Sequence, residues 1–291
     1  MNNLIHWWKL PLECPIKIDN LYTKNIIKSC SNNPYVKRRT LENIKYGIKN
    51  PRVKTVKKVL NSLNIKLKDI EDKITHIQTS NRLISIKFPI KESPLHVQIL
   101  SHGIFDGSKE KNACIRYKVR HDIETKKMFK DLLIKTFGKN CYGHTDNCYF
   151  MFKSLSELLA SHYEIREFKS KKAVLSKKLL VLSRNQSFRR AILKAAFIDE
   201  GYCKYAPHRG EKFRLTLVSG IKNEKLAKQL KYLTDLEGYR TSLYKARNNT
   251  EFTIPILTKS KKDFYNNIIK SLPKNHRKQI EAEKAVLTKT F

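Results

Sequence analysis

The sequence predicts an α+β protein: a small all-α N-terminal module followed by two tandem αββαββα repeats with pseudo-twofold symmetry. Three observations predict it. Between residues 20 and 75 apolar side chains recur at helical spacing and are interrupted by Pro, Gly and Asn turn signals. Beyond Thr79–Arg82, read as a linker, helix-length and strand-length segments alternate in one order, twice over. The helix opening each round ends in an acid and a glycine, Asp106-Gly107 and Glu200-Gly201, 94 residues apart.

The charge balance narrows the partners. The 291 residues hold 60 Lys+Arg against 26 Asp+Glu, a formal +34. Such self-repulsion costs stability unless a polyanion relieves it. Nucleic acid does so by counterion release. An anionic membrane is the rival polyanion, but no uninterrupted apolar run reaches the ~18 residues of a spanning helix. The start, MNNLIHWWKLPLECP, lacks a signal peptide's basic start and long apolar core. The expected location is therefore cytoplasmic and nucleoid-associated. Six cysteines then read as reduced thiols. Cys141, His144 and Cys148 offer three zinc donors, but structural zinc wants four and usually a C-x2-C pair, and neither is visible.

In the first module, Leu21–Cys30 reads as a helix and Asn32-Asn33-Pro34 as a turn. Lys37–Tyr46 follows, with Leu41 and Ile44 at helical spacing, and Gly47 stops it. After Asn50-Pro51, the segment Val53–Leu63 carries Val53, Val56, Val59, Leu60 and Leu63 as one stripe, and Leu67–Ile74 closes the unit.

In the first round, helix Pro94–Phe105 precedes strand Ala113–Val119, with the round's first strand short or lost. Helix Thr125–Phe137, two short strands around Tyr142 and Tyr149, and helix Leu155–Tyr163 complete it. The second runs through helix Phe188–Asp199, strands Gly201–Ala206 and Phe213–Val218, helix Glu224–Leu236, strands Thr241–Ala246 and Glu251–Leu257, and helix Lys261–Ser271.

The opening helices, ILSHGIFDGS and ILKAAFIDEGYC, are apolar nearly all round, as central helices must be. Ser101 and Gly103 in one, Ala195 and Ala196 in the other, are small enough for close backbone approach. The glycine is an ordinary stop that tolerates left-handed backbone. The acid before it faces the negative end of the helix dipole, where a cation is favoured. A divalent metal would compensate. Two such helices side by side bring two carboxylates together, able to share Mg2+ with phosphate oxygens. That layout serves metal-assisted phosphodiester hydrolysis.

ILKAAFIDEG resembles the LAGLIDADG helix of homing endonucleases in their two-repeat, monomeric form. ILSHGIFDGS resembles it less closely, with Ser101 where the family has Gly. The resemblance covers Ser93–Ala285. It implies a site-specific endonuclease of double-stranded DNA, with a saddle-shaped sheet from each repeat in the major groove. It also implies that Asp106 and Glu200 bind Mg2+ or Mn2+ over the scissile phosphates, with water as nucleophile. A lysine after the last helix of each repeat is implied near the cleavage centre, and Lys169 and Lys278 are the nearest; the similar tails KKAVLSK and EKAVLTK allow a register that sets Glu281 opposite Lys169. The family fold also survives in regulators and in RNA-binding maturases that do not cleave, so an inactive transcriptional regulator and a partner in structured intron RNA stay open.

The stretch VKRRTLENIKYGIKNPRVKTVKKVLNSLNIKLKDI resembles the back half of a phage-repressor-type helix-turn-helix domain, with Gly47, Asn50 and Pro51 in its loop. It implies that Arg38, Arg39, Thr40 and Asn43 lie near the major groove. A basic helical bundle with no DNA role is the competing reading. In the repeats, basic and hydroxyl residues alternate along strands at Arg116, Lys118, Arg214, Arg240, Lys245 and Arg247, suited to base edges or phosphates; a solvated strand face is the alternative at each. Arg209 is expected in a hairpin loop over the DNA backbone, and Lys171, Lys172, Lys177 and Lys178 as a phosphate tether between repeats. The domains so read are 1–78, 79–170 and 171–291.

Overall fold

The computed structural model describes residues 4–29, 37–45, 49–79, 82–109, 115–118, 123–145, 148–168, 171–205, 213–246 and 250–287. The chain gathers into two compact units. One holds Met1–Glu92, Leu133–Tyr142 and Met151–His162; the other holds Ser93–Leu132, Gly143–Phe150 and Tyr163–Phe291.

The first unit is not all-α, and this corrects the expectation. It contains α1 (Asn20–Ser29), α2 (Arg38–Lys45) and α3 (Val53–Ser62), close to the expected helices. Beside them, β1 (Leu4–Ile5), β2 (Ile16–Ile18), β3 (Ile74–Thr79) and β4 (Arg82–Ser85) are strands, as is β5 (Ile90–Lys91). The order β2-β3-β4 makes one antiparallel sheet, and β1 pairs with β5. Thr79 pairs with Arg82, so the expected linker is the close of a hairpin. Pro51 is also drawn into the strand layer: its carbonyl accepts from Ile16 N–H at 2.9 Å, and Cys14 O accepts from Val53 N–H at 2.9 Å. The expected helix at 67–74 is a 3-10 turn over Leu67–Lys73 that hands over to β3. Trp7, Ile16, Leu60, Ile70 and Ile77 fill the core. The indole N–H of Trp7 donates to Leu67 O at 3.0 Å, which satisfies the polar edge of a buried ring. On α2, Leu41 packs on Val59 of α3, with Ile44 and Leu63 around them.

The repeats have the predicted order. The first comprises α4 (Pro94–Phe105), β6 (Gly107–Lys109), β7 (Ile115–Lys118), α5 (Ile123–Phe137), β8 (Tyr142–Thr145), β9 (Cys148–Met151) and α6 (Lys153–His162). Its first strand is short, at three residues. A further helix, α7 (Lys177–Leu182), follows, where sequence reading expects only a basic connection. The second repeat comprises α8 (Gln186–Glu200), β10 (Tyr202–Tyr205), β11 (Phe213–Ile221), α9 (Glu224–Leu236), β12 (Tyr244–Lys245), β13 (Phe252–Ile256) and α10 (Thr258–Phe264), which runs into a π turn at Tyr265–Ile269. A last helix, α11 (Arg277–Leu287), lies beyond it.

The two sheets share one topology, β6-β7-β9-β8 and β10-β11-β13-β12. Equal strand order in the two halves is the backbone form of the sequence repeat. Helix α4 starts at Ser93, whose side chain accepts from His96 N–H at 3.3 Å, with Pro94 at the first helical position. Every residue from His96 to Phe105 is buried, so α4 is central. Helix α8 starts at Asn185, which caps Ser187 N–H at 2.9 Å, and packs alongside α4.

Candidate active site

Both acids stand at the C-terminal ends of the paired central helices. Asp106 caps α4, its N–H donating to His102 O at 3.0 Å. Glu200 is the last residue of α8, and Gly201 N–H donates to Phe197 O at 3.0 Å. The glycines serve close approach rather than a left-handed turn. A Cβ on Gly107 would lie 2.4 Å from Gly103 O, and one on Gly201 2.6 Å from Leu217 O, while Gly201 keeps φ at −85°. Gly103 also differs from expectation. The space above it is taken by the Phe168 ring, 2.8 Å from where a Cβ would stand. Ser101, Ala195 and Ala196 are buried completely, with no bulk to hold backbones apart.

The charges sense one another. Asp106 is exposed as a residue, yet the surrounding protein partly desolvates its carboxyl. That desolvation, and then the charge of Asp199, push its carboxyl up to about 7 against the pull of Lys278 and His102. Glu200 is pushed up to about 8 by desolvation, then by Asp106 and Asp199, with Lys278 again opposing. Two oxygen donors whose ionised forms repel are an under-compensated negative pair. A hard divalent cation fits such a donor set. Among the described residues no group of three or more His, Cys, Asp or Glu side chains encloses a common cation position.

Lys278 belongs to this centre. From α11 its ammonium donates to Phe197 O at 3.1 Å and to Ile198 O, and lies 5.8 Å from the centre of the Phe197 ring. It thus places a cation on the negative end of α8, the compensation the acid-ended helix lacks by itself. Glu281 is engaged elsewhere, with Arg277 at 2.7 Å. Lys169 lies outside the described residues.

Sequence reasoning missed the layer beneath. Asp199, beside Glu200, has a fully buried side chain that accepts from His102 Nδ1 at 2.9 and 3.0 Å and from the Tyr117 hydroxyl. The signal available was the acid pair Asp199-Glu200 itself.

The basic strand residues are partly placed. Arg116 sits on β7 across from Phe150, its guanidinium 5.5 Å from that ring's centre. Lys118 pairs with Cys148 through its backbone. Arg214 lies opposite Lys204 and, with Tyr202, Thr216, Tyr244 and Thr253, lines a concavity of about 310 Å³ on the second sheet. Arg240 and Lys245 are exposed, Lys245 resting 5.9 Å from the centre of the Phe252 ring. Arg209 and Arg247 lie outside the described residues. In the N-terminal unit, Arg38 and Arg39 are exposed on α2, Arg38 pairing with Glu42 at 3.1 Å, while Thr40 and Asn43 are half-buried and Gly47 lies outside the described residues. Burial pushes the Cys141 thiol up to about 12, and its Sγ donates to Leu133 O at 3.3 Å. Among the described residues no helix is long and apolar enough to cross a membrane.

No family model matches the sequence, and no curated protein matches it. Solved structures with similar backbones include I-DmoI in complex with DNA and Mn, 15% identical, covering 62% of this chain and 99% of that one at a TM-score of 0.42. Mesophilic variants of the homing endonuclease I-DmoI match at 16% identity over 62% and 98%, TM-score 0.42. I-DmoI with DNA and Ca matches at 17% over 62% and 95%, TM-score 0.38.

Proposed function

We propose that the chain is a LAGLIDADG-type endonuclease that hydrolyses phosphodiester bonds of double-stranded DNA at a specific site, acting as a monomer with Mg2+ or Mn2+. The observation that carries this reading is the convergence of Asp106 and Glu200 at the ends of paired central helices, each leading a sheet of the same topology. Asp106 and Glu200 would hold the cation, which when bound polarises a phosphate oxygen. Lys278 fixes the end of α8 and sets a positive charge beside both carboxylates. Arg116, Arg214, Arg240 and Lys245 would face phosphates or base edges. The segments 79–170 and 171–291 act as the two cleaving halves, and 1–78 as an added DNA contact through Arg38, Arg39, Thr40 and Asn43.

The test is incubation with duplex DNA from the gene's own genomic flanks, with and without Mg2+ or Mn2+. Cation-dependent double-strand cleavage, lost in Asp106→Asn and in Glu200→Gln while binding persists, is the expected result. Tight binding with no cut under any divalent ion would sink the nuclease. It would favour an inactive regulator, the reading that the exposed arginines of α2 support. Tighter binding to structured intron RNA than to duplex DNA would point to a maturase.

A further inference from the structure

The two halves repeat their backbone and their acid-glycine pair, but not the side chains just below. At the 94-residue offset, His102 corresponds to Ala196 and Asp199 to Phe105. On the strands, Tyr117 pairs with Gly107, while Leu217 stands against Gly201. The symmetry-related set below the other acid is therefore Phe105, Ala196 and Leu217, where Asp199, His102 and Tyr117 stand below Glu200. All three side chains of the polar set are buried, with His102 and the Asp199 side chain at 0% exposure. The Tyr117 ring stacks on Phe129 at 4.6 Å, and His102 meets both rings edge-on at 5.1 and 5.7 Å.

Burying a carboxylate in an aromatic box is costly unless its oxygens are matched by donors. Apolar residues at the equivalent places show that the fold does not require this set. His102 Nε2 has no hydrogen-bond partner among the described residues, so the network is satisfied only on the side that faces Asp199. What it fixes is the last turn of α8, from which Glu200 projects. A clamped Asp199 limits the torsions available to the next residue, and a metal ligand gains affinity when its neighbours hold it in place.

We infer that His102 and Tyr117, both from the first repeat, are positioning residues: by clamping Asp199 they aim the Glu200 carboxylate at a divalent cation, so the two acids are unequal ligands. This rests on the cation reading of Asp106 and Glu200. The test measures Mn2+ binding to the full chain without DNA, from loss of the free-ion paramagnetic resonance signal. Tyr117→Phe and His102→Leu are made in two backgrounds, Asp106→Asn and Glu200→Gln, which isolate one acid each. In the Asp106→Asn background each should weaken Mn2+ binding about 10-fold. In the Glu200→Gln background neither should change it. His102→Asn, which keeps an N–H near the Nδ1 position, should restore most of the loss.

A purely structural fastener predicts lowered melting temperatures in both backgrounds with Mn2+ affinity unmoved in folded protein, and that result overturns the inference. So does an equal loss in both backgrounds. If Mn2+ binding ignores Asp106→Asn and Glu200→Gln themselves, the cation reading falls and takes the inference with it. Tyr117→Phe removes one oxygen from a ring whose packing stays, so at least that variant should fold for measurement.

Discussion

The two acid-ended helices resemble each other in backbone and differ in what surrounds their tips. At Asp106 the chain turns into a three-residue strand and the residue is exposed. At Glu200 the last turn is held from two sides, by Lys278 on the Phe197 and Ile198 carbonyls and by the clamp on Asp199. The difference teaches which parts of a repeat are fixed by geometry. The glycines cannot vary, because backbone passes too close for a Cβ. The layer below diverged, because any well-packed set of side chains can fill it.

The strongest way to break the comparison is to remove each acid in turn. If the pair shares one catalytic task, Asp106→Asn and Glu200→Gln should each lower the cleavage rate by on the order of 10² to 10³ while leaving DNA affinity in place. Cleavage assays beside gel-shift measurements check this. A variant that still nicks one strand at the wild-type rate would show that the acids serve separate events.

The glycines sharpen it next. Gly201→Ala drives a methyl into the Leu217 carbonyl and the Phe197 ring, and Gly107→Ala into the backbone of Gly103. Each should destabilise by about 1–3 kcal/mol, as overpacking does. Chemical denaturation measures both. An alanine tolerated at either position would show that the helix end relaxes there.

The repeated order was legible in sequence because two periodicities, near 3.6 for helices and 2 for strands, switch in the same sequence twice. The acid-glycine pairs then fixed the register of one half on the other. The N-terminal sheet was not legible. Its pairing of β2 on β3, such as Ile16 with Ile77, joins strands of three and six residues across about sixty positions, and no local pattern announces it. Helix α7 was not legible because its lysines read as a basic connection between the repeats, and α11 because its residues read as a tail beyond the last helix. The clamp on Asp199 was out of reach for another reason. His102 and Tyr117 stand 97 and 82 residues away, and only the packing of α4 on α8 makes them neighbours. Lys278 was reached through resemblance, but its partners, two helix carbonyls, come from the structure alone.

Lys278 offers a smaller and more selective perturbation. Lys278→Met keeps most of the chain's bulk and removes the charge. It should cost about 1–2 kcal/mol, the range for a cation at a partly buried helix C-terminus. The same change removes the group that lowers both acids. Their carboxyls should then hold protons to higher pH, and the rising limb of the cleavage profile should move to higher pH. A stability loss with an unmoved profile would confine Lys278 to capping α8.

The smallest effect concerns the acids as a pH-dependent liability. Both have folded values, about 7 and about 8, above the ordinary carboxylate range. A raised carboxyl binds its proton more tightly in the folded chain than in the unfolded one. Linkage then makes stability fall as pH rises from the ordinary carboxylate range through about 8, and the loss is complete above it. Because Asp106 is partly solvated and screened, the share recovered by Asp106→Asn should be only about 1 kcal/mol, or roughly 2–4 °C in melting temperature for a chain of this size. It should be visible at pH 9 and absent at pH 4. Mg2+ should raise the wild-type melting temperature with the same pH dependence, since only ionised carboxylates attract it. Melting curves at the two pH values, with and without Mg2+, decide the matter. A variant as stable as the wild type at both would mean that solvent already relieves the charge at Asp106, leaving Glu200 as the one strained acid of the pair.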